Sequence, residues 1–336
     1  MRSLLPSRTT SSTTPSPGLI WLALGVVYLL WGSTYLAIKL AERSFPPFLM
    51  ASVRFLVAGG VLFVWAVRRG ERGADPVGRD QWRAAFVVGS LLLLGGNGGV
   101  VWAEQHLATG VVALLVSTIP LWMAALDRVF FGHRLGAQAV VGLALGFAGI
   151  ALLVSASHHG HAGLAGSLVV VGAALCWATG SLYSRSAPLP KRPLVATAME
   201  MIAGGVGLAI VAVASGEVGR FNPSHVTVQS VLALAYLVVF GSLLAFSAYV
   251  WLLRAAPMSL VGTYAYVNPV VALFLGWLIL GEAITPRTLL ASAIVIGAVA
   301  LIVTARRVPQ SPVGAEQPVT PAVAGGRRFG WARARR

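Results

Sequence analysis

Residues 229–252 read QSVLALAYLVVFGSLLAFSAYVWL, a run that contains no charged side chain. A helix that crosses the hydrocarbon core of a bilayer needs about 20 consecutive apolar residues. The run is continuously apolar and does not alternate with polar residues, which favours a helix over a strand of a membrane barrel. It therefore predicts a transmembrane helix.

The same apolar character extends over the whole chain of 336 residues. Hydrophobic residues make up 57% of it and charged residues only 10%, with a mean hydropathy of +0.80. Soluble domains carry about 25% charged residues, and disordered chains are poor in apolar residues, so neither class fits. The net charge of +15 is typical of nucleic-acid-binding proteins, but so much apolar surface would make such a protein insoluble. The composition predicts a multi-span membrane protein without a nucleic-acid partner.

Nine further apolar runs of similar length accompany residues 229–252. Together they predict an all-α polytopic membrane protein with ten transmembrane helices in the lipid bilayer. The predicted spans are 19–41, 47–67, 82–104, 108–130, 137–155, 164–184, 194–214, 229–252, 259–280 and 285–305. The segments 1–18 and 306–336 are rich in Ser, Thr, Pro, Gly or Arg and are expected to be disordered tails. The predicted loops are too short for an ATPase or another soluble catalytic domain.

Lys and Arg are unevenly distributed across this arrangement. Ten spans put both termini on one side of the membrane. If that side is the cytoplasm, twenty of the 25 Lys and Arg residues lie in cytoplasmic segments. Positive charge accumulates on the cytoplasmic side of membrane proteins. The sequence therefore predicts a multi-pass protein of the plasma or inner membrane with both termini cytoplasmic.

The two halves of the chain match each other at a nearly fixed spacing. The pairs separated by 149 residues are Pro120/Pro269, Trp102/Trp251 and Gly132/Gly281, and the pair separated by 146 residues is Trp31/Trp177. Chance similarity between apolar segments is the alternative. Each proposed repeat, 19–155 and 164–305, holds five spans, and because five is odd the second copy enters from the opposite side. Such a 5+5 inverted repeat is typical of secondary transporters, which bind their solute near the midplane between the repeats.

Several motifs follow one another in the order of a known family. In the first half they are LWGST at 30–34, PP at 46–47, ASVRFLVA at 51–58, WAEQ at 102–105 and STIPL at 117–121. In the second half they are Gly241-Ser242 with Tyr249 and Trp251, YVNPV at 266–270 and GWLILGEAI at 276–284. With these motifs, over about residues 19–305, the chain resembles the EamA family of the drug/metabolite transporter superfamily.

This resemblance implies ten helices that move small organic solutes, often amino acids or drugs outward, and it does not identify the solute. One turn departs from the family pattern. The Gly-Glu turn is kept at Gly281-Glu282, but the first half reads Gly132-His133. A role shared by two turn glutamates is therefore not supported in this chain.

Two charged side chains lie deep in the predicted spans, where ionisable groups are costly and usually functional. Glu200 lies about two helical turns beyond the basic pair at 191–192. It could take up a coupling proton or bind a substrate ammonium, and a protonated glutamate hydrogen-bonded between helices is the alternative. Arg54, in the outer third of the second span, could attract a carboxylate, pair with a structural partner, or snorkel to the outer interface. Glu104 and Lys39 lie near outer helix ends, where a position at the membrane interface is expected.

Aromatic and polar residues at mid-span are further candidates for solute binding. Trp31 and Tyr266 lie too deep for an interfacial belt and could stack on an apolar or cationic solute, or they could simply pack helices together. Thr34 is a polar candidate in the same motif as Trp31. Asn97, between two glycine pairs, and Asn268, beside a proline, could present polar groups where a solute passes. Close packing through small residues is the alternative for the glycines.

Four residues are candidates for helix breaks or gates. Pro120 and Pro269 predict matched kinks at mid-span that could act as hinges or as part of a binding site, and inert kinks are the alternative. Trp102 and Trp251 occupy corresponding places near opposite membrane faces and could be interfacial residues or gates.

These features favour a secondary-active transporter that exports small metabolites, amino acids or drug-like solutes by alternating access, coupled to a proton or an exchanged solute. The scarcity of charge in the spans disfavours phosphorylated or multiply charged solutes. The alternatives are an intramembrane enzyme acting on lipids and a passive channel. Enzymatic activity is not expected, because the sequence has no tight cluster of acidic and histidine residues. The histidines within 158–161 lack Cys or acidic neighbours, so no metal site and no cofactor is expected.

Overall fold

The structure, a computed structural model, describes residues 16–68, 77–132, 136–156 and 161–305. Within these ranges the regular elements are all helical. The main helices are α1 (Pro17–Ala41), α2 (Pro47–Arg68), α3 (Arg79–Glu104), α4 (Thr109–Val116 continued by Ile119–Phe131), α5 (Ala137–Ala156), α6 (His161–Ser184), α7 (Pro193–Ala214), α8 (Val228–Ala255), α9 (Tyr264–Leu275 continued by Gly276–Leu280) and α10 (Pro286–Thr304). The predicted tail 306–336 and most of the tail 1–18 lie outside the described residues, as does His133.

Eight of the described helices are long and apolar enough to cross a membrane. The shorter apolar helices are Ala137–Leu152 within α5 and Val267–Leu280 within α9. Many large apolar side chains are exposed along these helices, among them Leu22, Ile210 and Leu232, as expected where a helix faces lipid rather than water. The chain is therefore a polytopic membrane protein, and its described elements are all helical.

Helix α1 begins slightly earlier than its predicted span. Ser16 precedes the helix, and its side chain accepts a hydrogen bond from the backbone N–H of Leu19 at 3.4 Å. Pro17 takes the first helical position, where its missing N–H costs nothing. An N-cap and a proline therefore set the boundary, whereas the apolar run alone sets only the approximate span.

Helices α2 and α7 form a closely packed pair. A Cβ added at Gly59 would lie 2.9 Å from Met201, and one added at Gly205 would lie 2.9 Å from Leu56. Small residues let membrane helices approach closely. Gly59 and Gly205 are 146 residues apart, the same spacing that relates Trp31 to Trp177.

Most other long-range packing also joins the first half, α1–α5, to the second half, α6–α10. Helix α1 packs against α8 and α9, and α6 packs against α3 and α4. These two arrangements correspond if α6 is the counterpart of α1. Helix α5 packs against α10. The core is therefore built mainly across the halves rather than within them.

Irregular turns interrupt four of the helices. α3 is π-helical over Ser90–Asn97 and α8 over Leu237–Phe246. π-Helical turns often occur at functional sites. The turn in α3 includes Asn97 and the glycine pair before it, and the turn in α8 includes the Gly241-Ser242 motif. Both turns lie in the middle of the bundle.

The two prolines stand in different helical contexts, whereas the sequence predicts matched kinks. α4 is interrupted directly before Pro120, which stands in the first turn of the next segment. Pro269 lies inside a continuous helical segment that begins at Tyr264. A proline in a first turn needs no N–H, whereas Pro269 deprives the carbonyl of Ala265 of its helical donor. The two prolines therefore occupy different positions in their helical segments, and the matched kinks stay a prediction.

Candidate solute-binding cavity

A cavity lies in the middle of the bundle, and its empty space, together with the part open to the surroundings, amounts to about 650 Å³. Helices α1–α4 of the first half and α6, α8 and α9 of the second half contribute to its walls. Five residues predicted from the sequence line it: Trp31, Thr34, Arg54, Asn97 and Asn268.

The other lining residues are mostly apolar or aromatic. They are Tyr35, Ile38, Phe55, Leu93, Gly96, Val100, Val116, Ile119, Ala173, Ala174, Trp177, Phe246 and Tyr264. Among the described residues, no Asp or Glu lines the cavity. Arg54 is the cationic member of the lining, so the cavity combines a largely apolar wall with a positive charge.

Trp31 lies at the centre of an aromatic cluster at the cavity wall. The other members, with ring centroids 4.8 to 6.5 Å from that of Trp31, are Trp177, Phe246, Tyr249 and Tyr264. The indole N–H of Trp31 donates to the carbonyl of Gly241 at 3.2 Å, and that of Trp177 donates to the hydroxyl of Tyr249 at 3.4 Å. Because these polar groups have partners, the indole rings can offer their faces and edges to a solute.

Arg54 is turned into the protein and does not snorkel to an interface. It is only 3% exposed, and its Nε donates to Ser242 Oγ at 2.8 Å. Its guanidinium carbon lies 4.7 Å from the centre of the Phe55 ring. Nη1 is buried and has no hydrogen-bond partner. Within the described ranges, no carboxylate forms a salt bridge with Arg54.

Gly241 makes room for this arrangement. A Cβ added at Gly241 would lie 3.0 Å from Nη2 of Arg54 and 3.0 Å from Cγ2 of Thr34. The Gly241-Ser242 motif therefore serves Arg54 in two ways. The glycine admits the guanidinium, and the serine hydroxyl accepts its Nε–H.

Two amides flank the cavity. The Oδ1 atom of Asn97 is buried and has no partner within the described part of the chain. The amide nitrogen of Asn268, in the orientation that satisfies its neighbours, donates to the carbonyls of Tyr264 at 3.2 Å and Tyr28 at 3.1 Å. Asn268 therefore fastens α9 to α1, while Asn97 keeps an unused acceptor beside the cavity.

Glu200 lies outside the cavity lining. It is 2% exposed on α7, and its Oε2 atom has no hydrogen-bond partner among the described residues. Its carboxyl group interacts electrostatically with Arg254 and Tyr249. Arg254 donates to the carbonyl of Lys191 at 2.8 Å. Glu200 is thus a buried carboxyl group between a basic end of the bundle and the aromatic cluster.

The remaining predicted residues lie away from the described cavity wall. Trp102 stacks on His106 with ring centroids 4.2 Å apart, and Trp251 is half-buried and packs against the core. Pro120 and Pro269 do not line the cavity, although their neighbours Ile119 and Asn268 do. The side chain of Tyr266 lies outside the described part of the structure.

Two carboxylates that sequence reasoning did not select tie the halves together at one end of the bundle. Glu282 accepts hydrogen bonds from the backbone N–H of Thr109 at 2.9 Å and of Gly110 at 3.4 Å. Glu217 accepts one from the backbone N–H of Leu49 at 2.8 Å. Each carboxylate of the second half thus caps the N-terminus of a first-half helix, where negative charge is favoured. We call this end the Glu282 end.

Glu104 and Lys39, expected at a membrane interface, lie inside the Glu282 end. Glu104 is fully buried and accepts a hydrogen bond from the Thr109 hydroxyl at 3.4 Å. Lys39 donates to the backbone carbonyls of Glu104 and Leu107. Tertiary packing thus covers this helix end, and the expected depth of Glu104 in the membrane stays a prediction. Nearby, burial and the charge of Glu104 raise the pKa of Glu42 well above its usual range.

Comparison with known proteins agrees with the helical bundle and its two halves. A model of the EamA-like transporter family matches residues 16–155 and 164–304. The chain belongs to the EamA-like transporter family. The two matched segments contain α1–α5 and α6–α10, and the resemblance seen in the motifs is confirmed.

Two relatives and one solved structure match most of the chain. The uncharacterized inner membrane transporter YedA of Escherichia coli (strain K12) is 38% identical over 293 residues, which cover 87% of this chain and 93% of YedA. The uncharacterized transporter YvbV of Bacillus subtilis (strain 168) is 25% identical over 284 residues, which cover 84% of this chain and 91% of YvbV. One crystal structure shares the fold with a TM-score of 0.59 at 23% identity, covering 85% of this chain and 96% of that protein.

Proposed function

We propose that this EamA-like protein is a secondary-active transporter that exports a small organic solute across the inner membrane by alternating access. The observation that carries the proposal is the cavity between the halves, whose wall takes residues from both. The name of the relative YedA, an inner membrane transporter, supports the choice of membrane. The distribution of Lys and Arg supports cytoplasmic termini.

The proposed architecture is ten transmembrane helices in two inverted repeats, 19–155 and 164–305. Three pairs of features support it. The π-helical turns lie in α3 and α8, which are counterparts if each repeat holds five helices. Gly59 and Gly205 fulfil the same packing role on α2 and α7. Trp31 and Trp177 meet each other at the cavity. In this arrangement α5 and α9 also cross the membrane.

The Glu282 end is the proposed extracellular end, and the contacts of Glu282 and Glu217 with the first half support a closed state at this end. Opening it requires that Glu282 leaves Thr109 and that Glu217 leaves Leu49, because both pairs join the two halves. Each pair is a charge-assisted hydrogen bond at a helix terminus. These contacts are therefore strong enough to hold one state, and few enough to be exchanged for others when the halves move.

Glu200 is the proposed site of proton coupling, with an exchanged solute as the alternative source of energy. The supporting observation is that Oε2 of this buried carboxyl group has no hydrogen-bond partner among the described residues, so it is the proposed proton acceptor. Its position between Arg254 and Tyr249 supports a role on the side opposite the Glu282 end.

Metabolomics of cells tests the function and identifies the solute in the same experiment. We expect cells that over-express the protein to enrich one or a few organic solutes in the medium. Reconstituted protein should transport these solutes with a dependence on pH that Glu200→Gln abolishes while the protein remains folded. Asp80→Asn, which changes an exposed carboxylate, is the matched control. A pH dependence unchanged in Glu200→Gln would remove Glu200 from the mechanism, and unsaturable flux would indicate a channel instead.

A further inference from the structure

We propose that the cavity binds the carboxylate of an amphipathic organic monoanion through Arg54, while the apolar or aromatic part of the solute packs against the cluster around Trp31. This inference rests on the proposed transport function and adds the class of substrate to it.

The first argument is the unpaired charge of Arg54. A guanidinium carries five N–H donors, and in Arg54 the Nε–H is the donor used by a described partner, Ser242. Nη1 is buried without a partner. A buried charge is costly unless it is paired and hydrogen-bonded, and the described surroundings supply no carboxylate. An anion in the adjoining cavity would supply the partner that the Arg54 guanidinium lacks.

The second argument is that the guanidinium is held in place for a planar anion. Ser242 fixes its Nε edge, the Phe55 ring lies 4.7 Å from its carbon, and Gly241 leaves the space that Nη2 occupies. Guanidinium groups bind carboxylates through two parallel hydrogen bonds. A side chain already positioned in this way loses little further freedom when it binds.

The third argument concerns the charge and shape of the solute. Arg54 supplies one positive charge to the described cavity wall, and no Asp or Glu lines that wall. A cation would be repelled and a dianion would be left half-neutralised. The remaining wall offers the rings of Trp31, Trp177 and Tyr264 to the apolar part of the solute. Oδ1 of Asn97 is an unpartnered acceptor for about two hydrogen bonds from polar groups of the solute. A monocarboxylate with a ring or branched chain pairs with Arg54 and packs against the apolar wall, and an N–H or O–H group on the solute would donate to Oδ1 of Asn97.

Matched ligands test this assignment directly. Purified full-length protein in nanodiscs is titrated calorimetrically with aromatic and branched aliphatic monocarboxylates, each beside its neutral amide and its amine analogue; indole-3-acetate, indole-3-acetamide and tryptamine form one such set. We expect at least one acid to bind about tenfold or more tightly than its amide, as expected for hydrogen bonds to a charged group. If every amide or amine binds as tightly as its acid, the proposal is overturned.

Variants of Arg54 test whether the preference for acid over amide depends on this side chain. Arg54→Gln should abolish the preference for acid over amide, whereas Arg54→Lys should retain part of it because the charge remains. Arg43→Gln, at an exposed arginine of the Glu282 end that bonds Gln229, is the control and should leave the preference unchanged. Retention of the full preference in Arg54→Gln would contradict the proposal. If Arg54→Gln does not fold, the test compares the preference for acid over amide in Arg54→Lys with that of the wild-type protein.

Transport assays separate this inference from the proposed function. Saturable transport of a neutral or cationic solute, without a preference for acids, would support the proposed transport function and contradict the proposed class of substrate. Specific binding of a monocarboxylate without transport of any solute would support the Arg54 site and contradict the transport function.

Discussion

Trp31 and Trp177 meet edge to face, with ring centroids 5.6 Å apart and an interplanar angle of 86°. They are also the tryptophans that lie 146 residues apart at corresponding positions of the two halves. In the proposed inverted repeat, equivalent residues meet only close to the axis that relates the repeats. A solute beside both rings would therefore keep the same neighbours when the halves exchange their arrangements.

The pairing predicts equal contributions of the two tryptophans to binding. Trp31→Ala and Trp177→Ala should each weaken binding of the transported solute by about two- to tenfold, because an aromatic contact contributes about 0.5–1.5 kcal/mol. Calorimetric titration in nanodiscs measures the effect. Trp21→Ala, at a tryptophan on α1 that is 60% exposed, is the control. Full affinity in either of the two cavity variants would show that the rings do not share one ligand.

A second prediction concerns the contact between α3 and α7. A Cβ added at Gly89 would lie 3.0 Å from the backbone nitrogen of Gly204 and closer still to the carbonyl of Glu200. Because backbone atoms cannot move aside as a side chain end can, Gly89→Ala should cost about 1–3 kcal/mol and lower the Tm in detergent. Gly60→Ala meets nothing within 4 Å and should leave the Tm unchanged or raise it. Equal Tm values for the two variants would argue against this helix contact.

A third prediction concerns closure of the Glu282 end. Glu282→Ala removes the cap from Thr109 and Gly110, and charge-assisted hydrogen bonds contribute about 1.5–3 kcal/mol. The equilibrium should therefore shift about tenfold or more toward the state open at that end. The measurement uses Val100→Cys, a cavity position, in a Cys176→Ser background and an impermeant maleimide added outside the cells.

Labelling of Val100→Cys should be slow in the parent and faster when Glu282→Ala is added. Asp80→Asn provides the control for loss of an exposed carboxylate. Labelling that stays slow in Glu282→Ala would mean either that the hydrogen bonds of Glu282 do not hold the closed state or that this end faces the cytoplasm. Adding the maleimide to inverted vesicles distinguishes these two results.

A fourth prediction follows from the raised pKa of Glu42. Burial and the neighbouring carboxylate of Glu104 favour the protonated form, so the folded protein binds this proton more tightly than the unfolded chain. The resulting stability is fully present below the ordinary carboxyl pKa of about 4.3 and is lost as the pH rises through the raised value.

The readout for Glu42 is the difference in Tm between Glu42→Gln and the parent across a pH series. We expect this difference to grow in favour of the variant as the pH rises, because the amide does not ionise. Asp80→Asn should show no such growth. A difference that is constant with pH would mean that Glu42 does not titrate in its buried position.

The spans were predictable because hydropathy is a local property of the chain. The predicted span 47–67 corresponds to Pro47–Arg68 and the span 194–214 to Pro193–Ala214. The expected depth of Arg54 and the expected mid-span position of Trp31 follow from the same counting. The pairing of Trp31 with Trp177 was also visible in the sequence, as a match between the halves, but only the folded bundle shows that the two rings touch.

The partners of the site residues were not predictable, because they lie far apart along the chain. Ser242 binds Arg54 across 188 residues, and Glu282 caps Thr109 across 173 residues. No local pattern distinguishes a carboxylate that caps a distant helix from one that faces water. For the same reason Glu104 was expected at an interface, although the packing of Lys39 and Thr109 around it buries it completely.

Solute counterflow in proteoliposomes tests the central claim, that one cavity is opened alternately to the two sides. Vesicles are preloaded with unlabelled solute, identified by the metabolomics above, and the entry of labelled solute is followed. We predict that preloading accelerates entry, that entry is saturable, and that labelled solute transiently accumulates above its outside concentration. Entry that is unsaturable and unaffected by preloading would contradict alternating access and identify a passive channel.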